Sequence, residues 1–257
     1  MKIKITKANA NGNSFIIINQ IDLKANNSLS KIQILKLCNA YNTDGLIIII
    51  KKSSNIKIDY FNNDGSWETL CVNGVICAAL KLQNQHLPYK IECGDGLHTV
   101  NSEKDKFIVS MHEPVYKSKK IIIDNIFGYY IDSGAKHFVI EHNGHWPSNN
   151  KLIDLAKTIR YNKNLFPDGI NVNFFKKINN NTIEVKTYEK GIENLMDSCA
   201  SGSFACAYHF HKNHSIKLKI NIINPGGKYY CRFNDNYKYN SIISSGKLEF
   251  EDDYTLI

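Results

Sequence analysis

The chain has 257 residues and a mass of 29.3 kDa, enough to bury one large core or two of roughly 120 residues each. Hydrophobic residues at 43% and aromatics at 11% exclude a disordered chain, and the longest aliphatic run, Leu46 to Ile50, falls far short of the roughly 18 residues of a membrane span. The net charge is +8, yet Arg160 and Arg232 are the only arginines among 32 basic residues. Nucleic-acid recognition leans on the bidentate guanidinium, so abundant Lys, Asn and Ile read as the mark of an AT-rich genome and not as a nucleic-acid face.

The opening Met1 to Ile5 has no long apolar stretch and no small-residue cleavage site, which speaks against a secretory signal and for a cytoplasmic location. Short apolar runs between turn residues predict strands over 15–19, 46–51, 56–61 and 106–111, then 128–131, 137–141, 171–177, 182–188 and 216–223. Helical spacing predicts four helices: 30–41 with Ser30 as N-cap, 73–83, 151–159 and 201–212. The stretch Lys247 to Glu251 reads as a final strand. The balance is strand-rich α+β. The lysine-rich segment Glu113 to Lys120 is the best linker between a first domain, 1–115 joined by a C-terminal strand 246–257, and a second, 116–245.

Seven cysteines in a chain of this length are a poor disulfide framework. No Cys-x2-Cys pair exists; Cys199, Cys206, His209 and His211 have only a loose metal-site spacing, so no metal is expected. Two cysteines share a context. Cys71-Val-Asn-Gly74 and Cys199-Ala-Ser-Gly202 are each followed by an apolar helix, and they lie 128 residues apart, about half the chain. A repeat at that period points to two similar halves. A cysteine at a helix N-terminus meets the positive end of the dipole and free N–H groups, which favour thiolate. Two such sulfurs flanking one substrate carbon could remove a proton on one side and deliver one on the other, inverting a stereocentre without a cofactor. Cys38, Cys77 and Cys206 read instead as small buried hydrophobes.

Six segments carry a resemblance. Asn11-Gly-Asn-Ser-Phe opens the series, and Asp44-Gly-Leu-Ile follows. Phe61-Asn-Asn-Asp-Gly-Ser runs to Cys71-Val-Asn-Gly. Phe166-Pro-Asp-Gly-Ile-Asn-Val-Asn-Phe comes next, and Tyr188-Glu-Lys-Gly runs to Cys199-Ala-Ser-Gly, with Pro225-Gly-Gly as a last match. In order and spacing the chain resembles the diaminopimelate epimerases, cofactor-independent two-cysteine epimerases, as a divergent member.

The resemblance implies two pseudo-symmetric α/β domains, each a sheet wrapped around a central helix, with the active site in the cleft between them. It implies Cys71 and Cys199 as the acid–base pair, and backbone N–H groups of Asn73, Gly74, Ser201 and Gly202 on the reacting carboxylate. Glu189 would face the substrate ammonium, while Asn13, Asn62, Asn171 and Lys190 read the rest. His137 would stand in the cleft wall. No cofactor is implied, and the partner is a small amino acid; a homodimer is compatible.

The chain departs from the family pattern where Val72 and Ala200 replace glycines, Lys190 replaces an arginine, and Ala135 replaces an asparagine. The expected activity is conversion of LL- to meso-diaminopimelate in the supply of lysine and peptidoglycan precursors. The alternatives are a racemase of another amino acid and a non-catalytic small-molecule binding protein. A phenazine-type isomerase shares the fold but lacks the cysteine pair.

Overall fold

The computed structural model describes residues 2–23, 28–82, 87–214, 218–234 and 240–255. Contacts divide the chain into two compact units, Met1–Ser110 with Ile243–Ile257, and Met111–Ile242. Both are mixed sheets with helices, the α+β class expected from the pattern of runs.

The first unit opens with β1 (Lys2–Ala10) and β2 (Asn13–Asn19), then α1 (Lys31–Tyr41), β3 (Gly45–Lys51), β4 (Ile56–Asn62) and the short β5 (Trp67–Glu68). It continues through α2 (Val72–Lys81), β6 (Tyr89–Cys93), β7 (Gly96–Glu103) and β8 (Lys106–Met111). β1 pairs antiparallel with β2, β2 parallel with β3 and β3 antiparallel with β4. β4 pairs antiparallel with β5 and parallel with β6, and β6 antiparallel with β7.

Local chemistry explains these elements. Lys and Ile alternate through 2–5, so Ile3 and Ile5 turn inward while the lysines face water. The aliphatic run of β3 is buried on both faces. Leu46 and Ile48 pack under α1 with Ile16, Ile18, Ile34 and Leu37, while the intervening Ile47 meets α2 at Gly74. Ser30 caps α1 in a capping box: its Oγ accepts from the Gln33 N–H at 3.3 Å and its own N–H donates to Gln33 Oε1 at 3.0 Å. Nine of the ten residues of α2 are buried, because the helix is apolar all round and packs against β1, β2, β3 and β4.

The second unit holds β9 (Val115–Tyr116), β10 (Ile121–Ile123), β11 (Ile126–Asp132), β12 (Lys136–Glu141), α3 (Asn149–Arg160), β13 (Asn171–Asn179), β14 (Thr182–Glu189) and β15 (Asn194–Met196). α4 (Ala200–His214), β16 (Lys219–Asn224), β17 (Gly227–Arg232) and β18 (Asn240–Ser244) follow. β11 pairs antiparallel with β12, β12 parallel with β13, β13 antiparallel with β14. β14 pairs antiparallel with β15 and parallel with β16, and β16 antiparallel with β17. This is the series of the first unit, element for element, with α3 in the place of α1 and α4 in the place of α2. The chain ends in β19 (Lys247–Thr255), which pairs antiparallel with β1.

The lysine-rich segment read as a linker carries β9, whose Val115 and Tyr116 pair with Asp132 and Ile131. Residues 216 and 217 of one expected strand and Gln83 of one expected helix lie outside the described residues. β1, β6, β7, β17 and β18, and the two- and three-residue strands β5, β9, β10 and β15, fall outside the predicted runs. Among the described residues no helix is long and apolar enough to cross a membrane.

Candidate active site

Cys71 is the N-cap of α2. Its backbone is extended, its carbonyl accepts from Val75 N–H at 2.9 Å, and its Sγ accepts from Gly74 N–H at 3.4 Å. The thiol is half-buried and lies 3.9 Å from Asn13 Oδ1, which also accepts from Asn73 Nδ2 at 3.3 Å. Asn13 in turn donates through Nδ2 to Asp44 Oδ2 at 3.0 Å, and the Ser14 N–H donates to the same oxygen at 2.8 Å. The structure thus brings Asn13, Asn73, Gly74 and Cys71 together, with Asp44 fixing the Asn13 amide. Asn62 belongs to a separate buried group, with Tyr60 O–H donating to its Oδ1 at 2.7 Å and its Nδ2 donating to Ser66 Oγ at 3.0 Å.

Cys199 repeats the backbone arrangement at α4. Its carbonyl accepts from Ser203 N–H at 2.8 Å, and the Gly202 N–H is directed at the sulfur. Its surroundings differ. The thiol is 6% exposed, and burial first, then the facing Glu189 carboxylate, push its pKa well above the ordinary value; the Gly202 N–H and Ser201 hydroxyl only offset this. The expectation that a helix N-terminus would hold this cysteine as thiolate is therefore corrected: desolvation wins over the dipole.

Behind Cys199 runs a line of buried polar side chains. Ser201 Oγ is 3.6 Å from Cys199 Sγ and 3.1 Å from His137 Nε2; His137 Nδ1 is 2.9 Å from Asn173 Oδ1; Asn173 Nδ2 donates to Thr187 Oγ1 at 2.7 Å. His137 is fully buried, and that burial lowers its pKa to about 4, against the opposing bond from Asn173. Gly202 is required here: a Cβ at this position would come within 2.2 Å of Asn173 Nδ2.

Asn171 accepts the Lys190 N–H at 2.8 Å, so it shapes the turn that carries Glu189 and Lys190. The next residues are held by Glu193, which takes Arg160 Nη2 at 2.6 Å and the Gly191 N–H at 3.1 Å on one oxygen and Tyr161 O–H at 2.8 Å on the other. Asn173 and Thr187 escaped the sequence reading. The available signal was Asn171-Val-Asn173, two asparagines at alternate positions opening an otherwise apolar strand, where a buried amide needs a partner.

Among the described residues the side chains grouped closely enough to hold a metal are Cys93, Asp95 and His98, with ligand atoms within 4.8 Å of one another. Cys199, Cys206, His209 and His211 form no such group. His98 Nδ1 lies 2.7 Å from the Ser110 carbonyl, which can only accept, and Nε2 lies 3.0 Å from Asp95 Oδ1. Burial opposes charge on this ring, but the Asp95 carboxylate and the carbonyl together raise its pKa. A protonated His98 satisfies both acceptors and makes the group an internal ion pair.

No protein-family model matches the chain. A diaminopimelate epimerase from Flavobacterium psychrophilum is 32% identical over 266 residues, 96% of this chain and 98% of that one. One from Methanocella arvoryzae is 32% identical over 232 residues, covering 80% and 81%. Among solved structures, a hydroxyproline epimerase from Agrobacterium vitis matches the fold with a TM-score of 0.78 at 11% identity, over 98% of this chain and 91% of that one.

Proposed function

The chain belongs to the diaminopimelate epimerase family, and we propose that it interconverts LL- and meso-2,6-diaminopimelate with Cys71 and Cys199 as paired acid and base. It is an isomerase on an epimerase and racemase fold. The observation that carries the two-cysteine reading is the repeated local geometry. Two units of the same element order each start their buried helix on a cysteine whose carbonyl closes the first turn and whose sulfur faces the third helical N–H.

In this reading one sulfur removes the α-proton while the other delivers a proton to the opposite face of the same carbon. Positioned proton transfer of this kind is worth about 10²- to 10⁴-fold in rate. Backbone N–H groups of Asn73, Gly74, Ser201 and Gly202 bind the reacting carboxylate, where the helix N-termini favour negative charge. Glu189, against Cys199, pairs with the substrate ammonium; that pairing withdraws the carboxylate's charge from the thiol and eases its ionisation when substrate is present. Asn13, Asn62, Asn171 and Lys190 bind the remainder. The substrate is a small amino acid, taken up without a cofactor, in the cytoplasm.

A second reading keeps the mechanism and changes the amino acid. It is favoured by Ala135, which is buried and offers no hydrogen bond, and by Lys190, a point charge where an arginine would hold a carboxylate with two parallel bonds. Incubation in D2O with LL-diaminopimelate and with monocarboxylic amino acids, followed by NMR of the α-proton, tests both. Exchange on diaminopimelate supports the first reading, exchange confined to a monocarboxylic amino acid the second, and no exchange on any amino acid removes both.

A further inference from the structure

We propose that Cys93, Asp95 and His98, gathered at the β6–β7 hairpin, form a binding site for a divalent transition-metal ion of the zinc class. Its role is structural, and no step of the proposed epimerisation passes through the ion.

The hairpin itself brings the three side chains together. Cys93 and Gly96 are register partners at its end, and Ile91 and His98 are partners two residues back. Side chains two apart on a strand share a face, so Cys93 on β6 and His98 on β7 are diagonal neighbours on the buried face of the pair. Asp95 stands in the turn between them, and its Oδ1 lies 3.0 Å from His98 Nε2. The Cys93 sulfur, an Asp95 oxygen and a His98 ring nitrogen all lie within 4.8 Å of one another. Bonds of about 2.0–2.3 Å to a tetrahedral zinc-class ion set ligand atoms about 3.3–3.7 Å apart, so shifts of about an ångström complete the site. Three protein ligands leave the fourth position to water.

Two features beyond the grouping point to a cation. The Asp95 side chain is 9% exposed, yet its second oxygen, Oδ2, is buried and has no hydrogen-bond partner among the described residues. A buried carboxylate oxygen without a partner is costly, and a metal ion supplies one. His98 is oriented as a metal-binding ring is: Nδ1 lies 2.7 Å from the Ser110 carbonyl, which only accepts, so Nδ1 carries a hydrogen and Nε2 is turned to the site. An outer bond of that kind fixes both the tautomer and the ring plane. In the metal-free protein a proton on Nε2 fills the gap to Asp95. The ion takes the place of that proton, Cys93 gives up its S–H proton on ligation, and both protons pass to solvent. Burial first, and then the charges of Asp95, Cys71, Glu92 and Asp59, push the Cys93 thiol up. The carboxylates that disfavour a bare thiolate favour the ion that neutralises it. Thiolate and imidazole together select a zinc-class ion over magnesium or calcium, which take oxygen ligands.

Cobalt(II) added to the full chain tests this, in a Cys71→Ala background so that the half-buried thiol cannot hold the ion. A single Co2+ is expected to bind with a thiolate-to-cobalt charge-transfer band in the near ultraviolet, and Zn2+ to displace it. Cys93→Ser is expected to abolish the band, and His98→Gln to weaken binding by about 100-fold, the upper end of what loss of an outer-shell partner costs. Asp95→Asn keeps the shape of the turn residue and removes its charge, so it is expected to fold even where the buried variants do not, and to bind Co2+ about tenfold more weakly. Absence of the charge-transfer band, a band that survives in Cys93→Ser, or Asp95→Asn binding as tightly as the parent overturns the site. None of these readouts involves turnover, so absence of amino-acid epimerisation would remove the proposed function and leave this result standing.

Discussion

The two cysteine sites share a backbone and differ in everything that sets a proton's affinity. Cys71 is half-buried, and the side chains beside it are neutral amides fixed by Asp44. Cys199 is buried, faces Glu189 and backs onto a line of polar groups ending in Thr187. The lesson is that an internal repeat preserves the element order and the cap, which depend on local chain geometry, while the pKa depends on side chains delivered by other strands. In unit 2 those arrive from β12, β13 and β14, and a repeat of Cys-x-x-Gly says nothing about them.

The strongest way to break the comparison is to remove each sulfur. Cys71→Ala and Cys199→Ala are each expected to reduce epimerisation by about 10³-fold or more, whereas Cys77→Ala and Cys206→Ala, buried inside the helices, should lower stability by roughly 1–3 kcal/mol and keep turnover. Equal activity losses in all four would show that helix packing had been mistaken for chemistry. With both sulfurs in place, iodoacetamide at neutral pH should modify Cys71 ahead of Cys199, as peptide mass spectrometry would report.

Two of the buried histidines, His137 and His98, sharpen the contrast through pH. His137 has a folded pKa of about 4, below its unfolded value. Between the two values the unfolded chain binds the extra proton, so its contribution to stability is present above about pH 6.5 and is lost as pH falls toward 4, by on the order of 3 kcal/mol. His98 has a raised folded pKa, so its contribution is present below about pH 6.5 and is lost as pH rises through the folded value. Denaturant unfolding of His137→Gln and His98→Gln against the parent should show pH slopes changing in opposite senses. Slopes changing in the same sense would refute the assigned charge states.

Adding one methyl group at each helix start gives a smaller and graded difference. At Gly202 the new Cβ would come within 2.2 Å of Asn173 Nδ2, a side chain already bonded at both ends. At Gly74 it would meet Ile47 Cδ1 at 3.1 Å, the free end of a flexible chain. Gly202→Ala is expected to cost about 1–3 kcal/mol and most of the activity, and Gly74→Ala less than about 1 kcal/mol. The smallest effect is expected from the double variant Lys190→Arg, Ala135→Asn. It should lower KM for diaminopimelate without changing kcat more than about twofold, since it adds binding alone. A raised KM would favour another amino acid as the substrate.

Much of this protein is legible from its sequence. The apolar run 46–50 announced a strand, Ser30 announced the start of its helix, and the repeated Cys-x-x-Gly placed both sulfurs at helix starts. These are local matters, fixed by side-chain period and by caps that reach only three or four residues. Asn13 and Glu189, both taken from the motif segments, lie beside Cys71 and Cys199 respectively. What only the tertiary structure decided is charge. Burial and the Glu189 carboxylate push the Cys199 thiol up, burial pushes the His137 ring down against the bond from Asn173, and Asp95 and the Ser110 carbonyl push the His98 ring up against its burial. Burial and electrostatic pairing act through space, and the sequence orders residues only along the chain.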